Sequence, residues 1–216
     1  MGTCRRPCPG AIATGRLSAE FILADNGSAD GSQQIARALG ARVIDVPRKG
    51  YGSALIGGID AAQGRLVVMG DADDSYDFEA IGPLIEKLRE GYDLVVGHRF
   101  MGGIEPGAMP WSHRWVGNPV LTSIRRAFFP APVGDTHCGL RAFKKDAYEE
   151  MRLRATGMEF ASEMVIKASL KGMRITEVAG VLRPDGRSGA PHLRTWREGG
   201  GHLRFSLLFS PRWPFL

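Results

Sequence analysis

At 216 residues, with 44% hydrophobic and 24% charged side chains, the chain can fill one packed domain, which excludes a disordered or fibrous protein. A formal charge of +5 and a pI near 9.4 suit an anionic partner: a phosphorylated substrate, an acidic membrane surface or nucleic acid. Three cysteines without a framework spacing argue against a disulfide-stapled secreted domain and for a reducing cytoplasm, and no apolar run reaches the length of about 18 residues that reads as a spanning helix.

The N-terminal MGTCRRPCPGAIATGRLS lacks a long apolar core and is a poor signal peptide; its Cys4 and Cys8 have no matching downstream pair for zinc. Strands are expected over residues 20–24, 42–46, 66–69, 94–97 and 174–179, where β-branched and apolar residues cluster. Helical spacing fits residues 32–39, 53–63 and 79–90, each followed by a glycine (Gly40, Gly64, Gly91) suited to a left-handed stop. Three strand-to-helix units in succession, with right-handed crossovers, predict an α/β fold: a Rossmann-like, mostly parallel sheet with helices on both faces. The Gly- and Pro-rich stretch after Gly97 is too long for a simple connection and reads as a functional loop. Further helices are expected over 119–128, 145–151 and 159–170. Residues 202–216 mix Leu203, Phe205, Leu207, Leu208, Phe209, Trp213 and Phe215 with Arg204 and Arg212, as at a bilayer surface, although a buried terminal helix fits them equally.

The segment RLVVMGDADDSYDF carries the clearest chemistry. Its apolar strand delivers Asp71 and Asp73 at the C-terminal end, where open α/β sheets bind ligands, and two carboxylates there suit Mg²⁺ or Mn²⁺ shared with phosphate oxygens. A calcium loop does not fit, because the turn glycine would fall at Tyr76 and the closing glutamate at Gly82. The plain alternative is a solvated acidic turn with Asp77 capping the next helix. An earlier strand ends in Asp25, Asn26, Gly27 and Ser28; a carboxylate there can accept a uracil imide N–H or a sugar hydroxyl, though all four are ordinary turn formers. Cys138, with no base identifiable beside it, reads as a small buried residue.

Taken together, these segments resemble inverting family 2 glycosyltransferases of the GT-A type, and among them the dolichyl- and polyprenyl-phosphate sugar synthases. ADNGSADGS is similar to the nucleotide-contacting segment, with Asp25 at the base-binding position and Asn26 beside it. RKGYGSALIGGIDAAQG is similar to the basic, Gly-rich turn at Gly50 that opens a helix beneath the donor. The DAD of Asp71 and Asp73 matches the metal- and diphosphate-binding motif, GHRF places Arg99 at an acceptor-phosphate position, and GDTHCGLRAFKKDA resembles the D-x-x-x-G-x-R-x-F stretch. RPDGRSGAPHLRTW, with Arg187, resembles the loop that closes on the donor phosphates.

The resemblance implies transfer of a hexose from a UDP- or GDP-linked sugar, with Mg²⁺ or Mn²⁺ on Asp71 and Asp73 and with Arg187 sharing the leaving-group charge. A lipid-phosphate acceptor would be gripped by Arg99 and Arg114, whereas a sugar hydroxyl would require a general base, Glu163 first or Asp135 second. The family's opening strand has no counterpart before Glu20. Residues 1–19 are therefore read as an N-terminal remnant, 20–198 as the catalytic domain and 199–216 as a juxtamembrane segment at the cytoplasmic face of a membrane. No nucleic-acid motif is visible, so a nucleic-acid partner is not expected. The rivals are a sugar nucleotidyltransferase, whose Gly-rich, Arg-containing N-terminal loop is lacking here, and an inactive paralogue or membrane-associated scaffold. The oligomeric state stays open.

Overall fold

Short strands with apolar interiors build the sheet, and the computed structural model describes them within residues 18–78, 81–109 and 132–184. In chain order the elements are β1 (Ile22–Asp25), α1 (Ser32–Ala38), β2 (Arg42–Asp45), α2 (Tyr51–Ala61), β3 (Leu66–Met69), α3 (Gly82–Arg89), β4 (Leu94–His98) and α4 (Arg99–Gly102). They continue with β5 (Arg141–Lys144), α5 (Lys145–Met151), α6 (Phe160–Leu170) and β6 (Ile175–Ala179). Strand β1 pairs in parallel with β2, and the other four form a sheet in the order β3-β5-β4-β6. Within it β4 and β6 are parallel, while β5 runs antiparallel to both β3 and β4. The expected strands and crossover helices are all present to within a few residues. Strand β5 was not among the expected strands.

Among the described residues the β1–β2 pair and the four-stranded sheet are not hydrogen-bonded to each other. The expectation of an absent strand before Glu20 concerns residues 1–17, which lie outside the described residues, as do 119–128 and 202–216.

The core follows from the pattern of each element. Strand β4 reads LVVGH, and its Leu94, Val95 and Val96 are fully buried, as expected of a strand covered on both faces. Helix α3 turns Leu84, Ile85 and Leu88 toward β4 and β5, with Pro83 in its first turn, where a missing N–H costs nothing. Helix α6 is apolar nearly all round: Phe160, Met164, Val165 and Ile166 are fully buried with Phe143 of β5 in reach of the same core. Each such side chain contributes about 1.5–3 kcal/mol through burial. This helix is thus an internal backing plate, and its Ser162 and Glu163 are buried with it.

Candidate active site

Strand β3 ends at Met69, and Gly70 turns the chain into the acidic loop. A Cβ at Gly70 would lie 2.6 Å from the Phe78 ring, so glycine lets that ring fold back beneath the loop. The loop is internally braced: the Ser75 amide donates to Asp73 Oδ1 at 3.1 Å, and Asp74 takes a left-handed conformation (φ 66°), which a short polar side chain tolerates. It is braced from outside as well. The Arg183 amide donates to the Ser75 carbonyl at 2.9 Å, Arg183 pairs with Asp77 at 2.8 Å, and Leu182 bridges both Tyr76 and Ile104. Asp77 therefore ties the loop to the segment after β6, and Ile81, not Asp77, stands at the cap of α3.

Asp71 sits in a narrow slot. Its Oδ2 lies where a Cβ on Gly139 would come within 2.5 Å, and the Gly139 amide donates to the Tyr76 hydroxyl at 2.9 Å. On the other side stands Tyr51, where burial first and the charge of the nearby Asp71 carboxylate second push the hydroxyl well above the ordinary phenol range. Tyr51 is the first residue of α2, after Gly50 in a conformation (φ 129°) that an L side chain rarely adopts. A Cβ at Gly50 would also run into the Thr156 carbonyl, whose oxygen accepts the Ser53 amide at 3.2 Å.

Asn26 joins the first motif to the second. Its Nδ2 donates to the carbonyls of Val46 (2.9 Å) and Arg48 (2.7 Å), and its Oδ1 accepts the Gly50 amide at 2.7 Å. Asn26 thus shapes the turn before α2 with all its polar positions. The adjacent Asp25 is buried and accepts the amides of Gly27 (2.9 Å) and Ser28 (3.0 Å) and the Gln33 side chain (2.7 Å). The Ser28 hydroxyl bond and these amides outweigh burial and hold its carboxyl at about 2. Asp25 also borders a cavity of about 130 Å³ with Gln33, Asp45 and Lys49.

Three sequence expectations change in the structure. Arg99 does not present its guanidinium to a ligand: it is buried at 8% exposure and its fork closes on Asp135, Nε to Oδ2 at 2.7 Å and Nη2 to Oδ1 at 2.6 Å. Asp135 is correspondingly unsuited as a base. Burial raises its carboxyl, but the Arg99 hydrogen bonds and charge outweigh that and hold it below the usual range. Glu163 is no better placed, being 1% exposed and accepting the amides of Arg154 (2.9 Å) and Ala155 (2.8 Å) beside an ion pair with Lys167 (2.7 Å). Cys138 is buried as expected, and burial pushes its thiol up to about 11. Arg114 and Arg187 lie outside the described residues.

Residues 11–152 match the model of glycosyl transferase family 2. The chain belongs to that family. A low-salt glycan biosynthesis hexosyltransferase of Haloferax volcanii is 40% identical over 206 residues, covering 95% of this chain and 49% of that protein. A dolichyl-phosphate hexose transferase of the same organism is 34% identical over 168 residues, 77% of this chain and 70% of that one. This family 2 chain therefore spans about half the length of the first relative. Among solved structures, glucosyl-3-phosphoglycerate synthase of Mycobacterium tuberculosis in complex with Mn²⁺, UDP and glucosyl-3-phosphoglycerate superposes with a TM-score of 0.62 at 25% identity, over 89% of this chain and 68% of that one. The GT-A fold expected from the motifs is thus present, and the family match opens nine residues before Glu20.

Within this glycosyltransferase domain the structure adds site residues the sequence did not single out: Tyr51, Tyr76, Gly139, Arg141 and Arg183. Arg141 is fully buried and donates to the carbonyls of Thr136 (2.6 Å), Cys138 (3.0 Å) and Ala161 (2.7 Å), which fixes the loop carrying Asp135 and Gly139. The only local signal was an arginine two residues after a glycine in the D-x-x-x-G-x-R-x-F stretch. The Gly139 contact has a measurable consequence. Gly139→Ala would force Asp71 Oδ2 and the Tyr76 ring, 3.1 Å from the added methyl, to move. It is expected to destabilise the fold by about 1–3 kcal/mol, as overpacking does, and to weaken divalent-cation binding. A variant with unchanged denaturant midpoint and cation affinity would show that the slot is looser than this geometry.

Proposed function

We propose that this chain transfers a hexose, with inversion, from a UDP- or GDP-linked sugar to a polyprenyl or dolichyl phosphate at the cytoplasmic face of a membrane. The observation that carries the reading is the braced pair Asp71 and Asp73 at the C-terminal end of β3, with Asp71 confined between Tyr51 and Gly139. Asp71, in a slot that a single Cβ would close, and Asp73 two residues further on would suit a hard divalent cation. Among the described residues no cluster of three or more His, Cys, Asp or Glu side chains accompanies them. The remaining ligands would come from diphosphate oxygens and water, as Mg²⁺ and Mn²⁺ prefer. The Mn²⁺ and UDP of the mycobacterial synthase support the same donor class here.

Asp71 and Asp73 would hold the cation, which when bound supplies Lewis-acid stabilisation of the departing nucleoside diphosphate. Asp25 and its cavity would receive the nucleoside. The acceptor phosphate oxygen forms the new bond to the anomeric carbon from the face opposite the leaving oxygen, whose bond breaks with its electron pair passing to the diphosphate. A phosphate acceptor is already anionic, so the chain must position it and need not deprotonate it. The engaged states of Glu163 and Asp135 favour this acceptor over a sugar hydroxyl, which would need a free base. The dolichyl-phosphate hexose transferase relative supports it too. With Arg99 committed to Asp135, Arg114 remains the candidate grip for the acceptor and Arg187 for the leaving group.

The test pairs labelled UDP- or GDP-hexose with dolichyl phosphate in anionic vesicles and Mn²⁺. Label is expected to pass into the organic phase, and nucleoside diphosphate to be released. Label recovered only in water-soluble glycoside would replace the lipid acceptor. Among the described residues no helix is long and apolar enough to cross a membrane. Membrane contact is accordingly assigned to the basic, apolar residues 202–216, worth on the order of 1 kcal/mol per Lys or Arg near an anionic leaflet and salt-sensitive. Equal co-sedimentation of the intact chain and one ending before His202 with anionic vesicles at low salt would overturn that part.

A further inference from the structure

Two carboxylates stand side by side at the C-terminal ends of β1 and β2, and the described residues engage only one of them. Asp25 and Asp45 are register partners in the parallel pair, so their side chains leave the same face of it. That face is turned away from α2: a Cβ on Gly58 would meet Ala24 at 3.1 Å, and Ala24 alternates with Asp25 along β1. Both acids border the cavity of about 130 Å³, together with Gln33 and Lys49. Asp25 is 5% exposed and heavily used. Its Oδ2 accepts the amides of Gly27 (2.9 Å) and Ser28 (3.0 Å) and the Gln33 Nε2 (2.7 Å), and its Oδ1 accepts the Ser28 amide at 3.3 Å. Gln33 Oε1 in turn accepts Arg37 at 3.2 Å, and Lys49 donates to the Asn26 carbonyl. Asp45 is exposed, and among the described residues it has no hydrogen bond or ion pair.

We propose that Asp45, not Asp25, reads the base of the donor nucleotide: its carboxylate accepts the ring N–H of uracil or guanine, while Asp25 holds the cavity wall. The inference rests on the reading of this cavity as the nucleoside site. Asp45 lies where open α/β sheets bind ligands, beyond a C-terminal strand end. A carboxylate can only accept hydrogen bonds. It therefore selects bases with a ring N–H, at N3 of uracil or N1 of guanine, over cytosine and adenine, whose corresponding ring nitrogens present a lone pair. The plain alternative is a solvated carboxylate at the end of a strand, and it predicts the opposite sign. A negative charge near an anionic diphosphate repels it, so removing an idle carboxylate would leave binding unchanged or strengthen it.

Titration calorimetry in Mn²⁺ compares UDP, GDP, CDP and ADP on the intact chain and on Asp45→Ala, with pyrophosphate as a probe that has no base. The intact chain is expected to bind UDP or GDP more tightly than CDP and ADP. The tighter of the two should lose about tenfold to a hundredfold in Asp45→Ala, the range for a hydrogen bond to a charged group. Pyrophosphate affinity and Tm should stay close to those of the intact chain. Methylating the ring nitrogen, as N3-methyl-UDP or N1-methyl-GDP, should weaken binding to the intact chain. It should add less than about twofold to the loss in Asp45→Ala, because both changes remove one bond. Equal or tighter nucleotide binding by Asp45→Ala would overturn the inference and leave the nucleoside reading of the cavity standing. A matching loss for pyrophosphate would place the effect on the diphosphate and overturn the base-reading role. An intact chain that binds pyrophosphate but neither UDP nor GDP would remove the nucleoside reading, and this inference with it.

Discussion

Asp73→Ala is expected to lower hexose transfer by about 10³-fold and to abolish the Mn²⁺-dependence of nucleoside diphosphate binding. The scale is that of deleting one group that stabilises charge developing on a leaving oxygen, about 10²–10³, increased here because the cation would leave with its ligand. Asp73 also accepts the Ser75 amide at 3.1 Å, so an alanine variant combines loss of charge with a loosened loop. Asp73→Asn resolves the two. The amide oxygen still accepts the Ser75 N–H, and only the charge is removed, so activity should fall nearly as far while Tm stays close to that of the parent chain. Calorimetry with UDP and GDP, in Mn²⁺ and then in chelator, checks it; binding that is undiminished in chelator would sink the assignment of this loop to a cation.

The largest effect on stability is expected at Asp135. Removing its carboxylate leaves the Arg99 guanidinium buried and unpaired, and breaking a buried pair from one side costs about 3–5 kcal/mol. For a domain of this size Tm should fall by roughly 6–20 °C. The double variant Arg99→Met with Asp135→Leu should lose less than Asp135→Ala alone, because no orphaned charge remains. The pH dependence has a definite sign. The folded carboxyl lies below its ordinary value of about 3.9, so its contribution is fully present above that value and is lost as pH falls through the lower, folded one. The Tm gap between parent and Asp135→Ala should therefore be constant from neutrality to about pH 4–5 and shrink in stronger acid. A gap independent of pH down to pH 2, or no gap at neutrality, would contradict the geometry.

Much of the chemistry was legible along the chain. Asp71 and Asp73 follow an apolar tetrapeptide whose strand character is local, so their delivery at a strand end needed no knowledge of the fold. Helix α5 was expected over 145–151 and occurs there, because its apolar spacing is also a property of near neighbours. Strand β5 was missed for the converse reason. RAFK begins and ends in a charged residue, and only the carbonyls of Thr136, Cys138 and Ala161 make a fully buried Arg141 admissible. Glu163 was read as a candidate general base, yet α6 is enclosed on nearly every side and its glutamate serves the backbone.

The sequence by itself determined the α/β alternation, the order of the motifs and the strand-end carboxylates, since each is encoded by residues within a few positions of one another. Tertiary structure alone decided which charges are available for chemistry. Arg99 looks like a phosphate ligand until Asp135, 36 residues onward, closes its fork. Asp71 looks like one of several exposed acids until Tyr51 and Gly139 confine it from two sides. A buried charge or hydrogen-bonding group must find a partner wherever the fold brings one within about 3 Å, and that distance is set by packing between elements far apart in the chain.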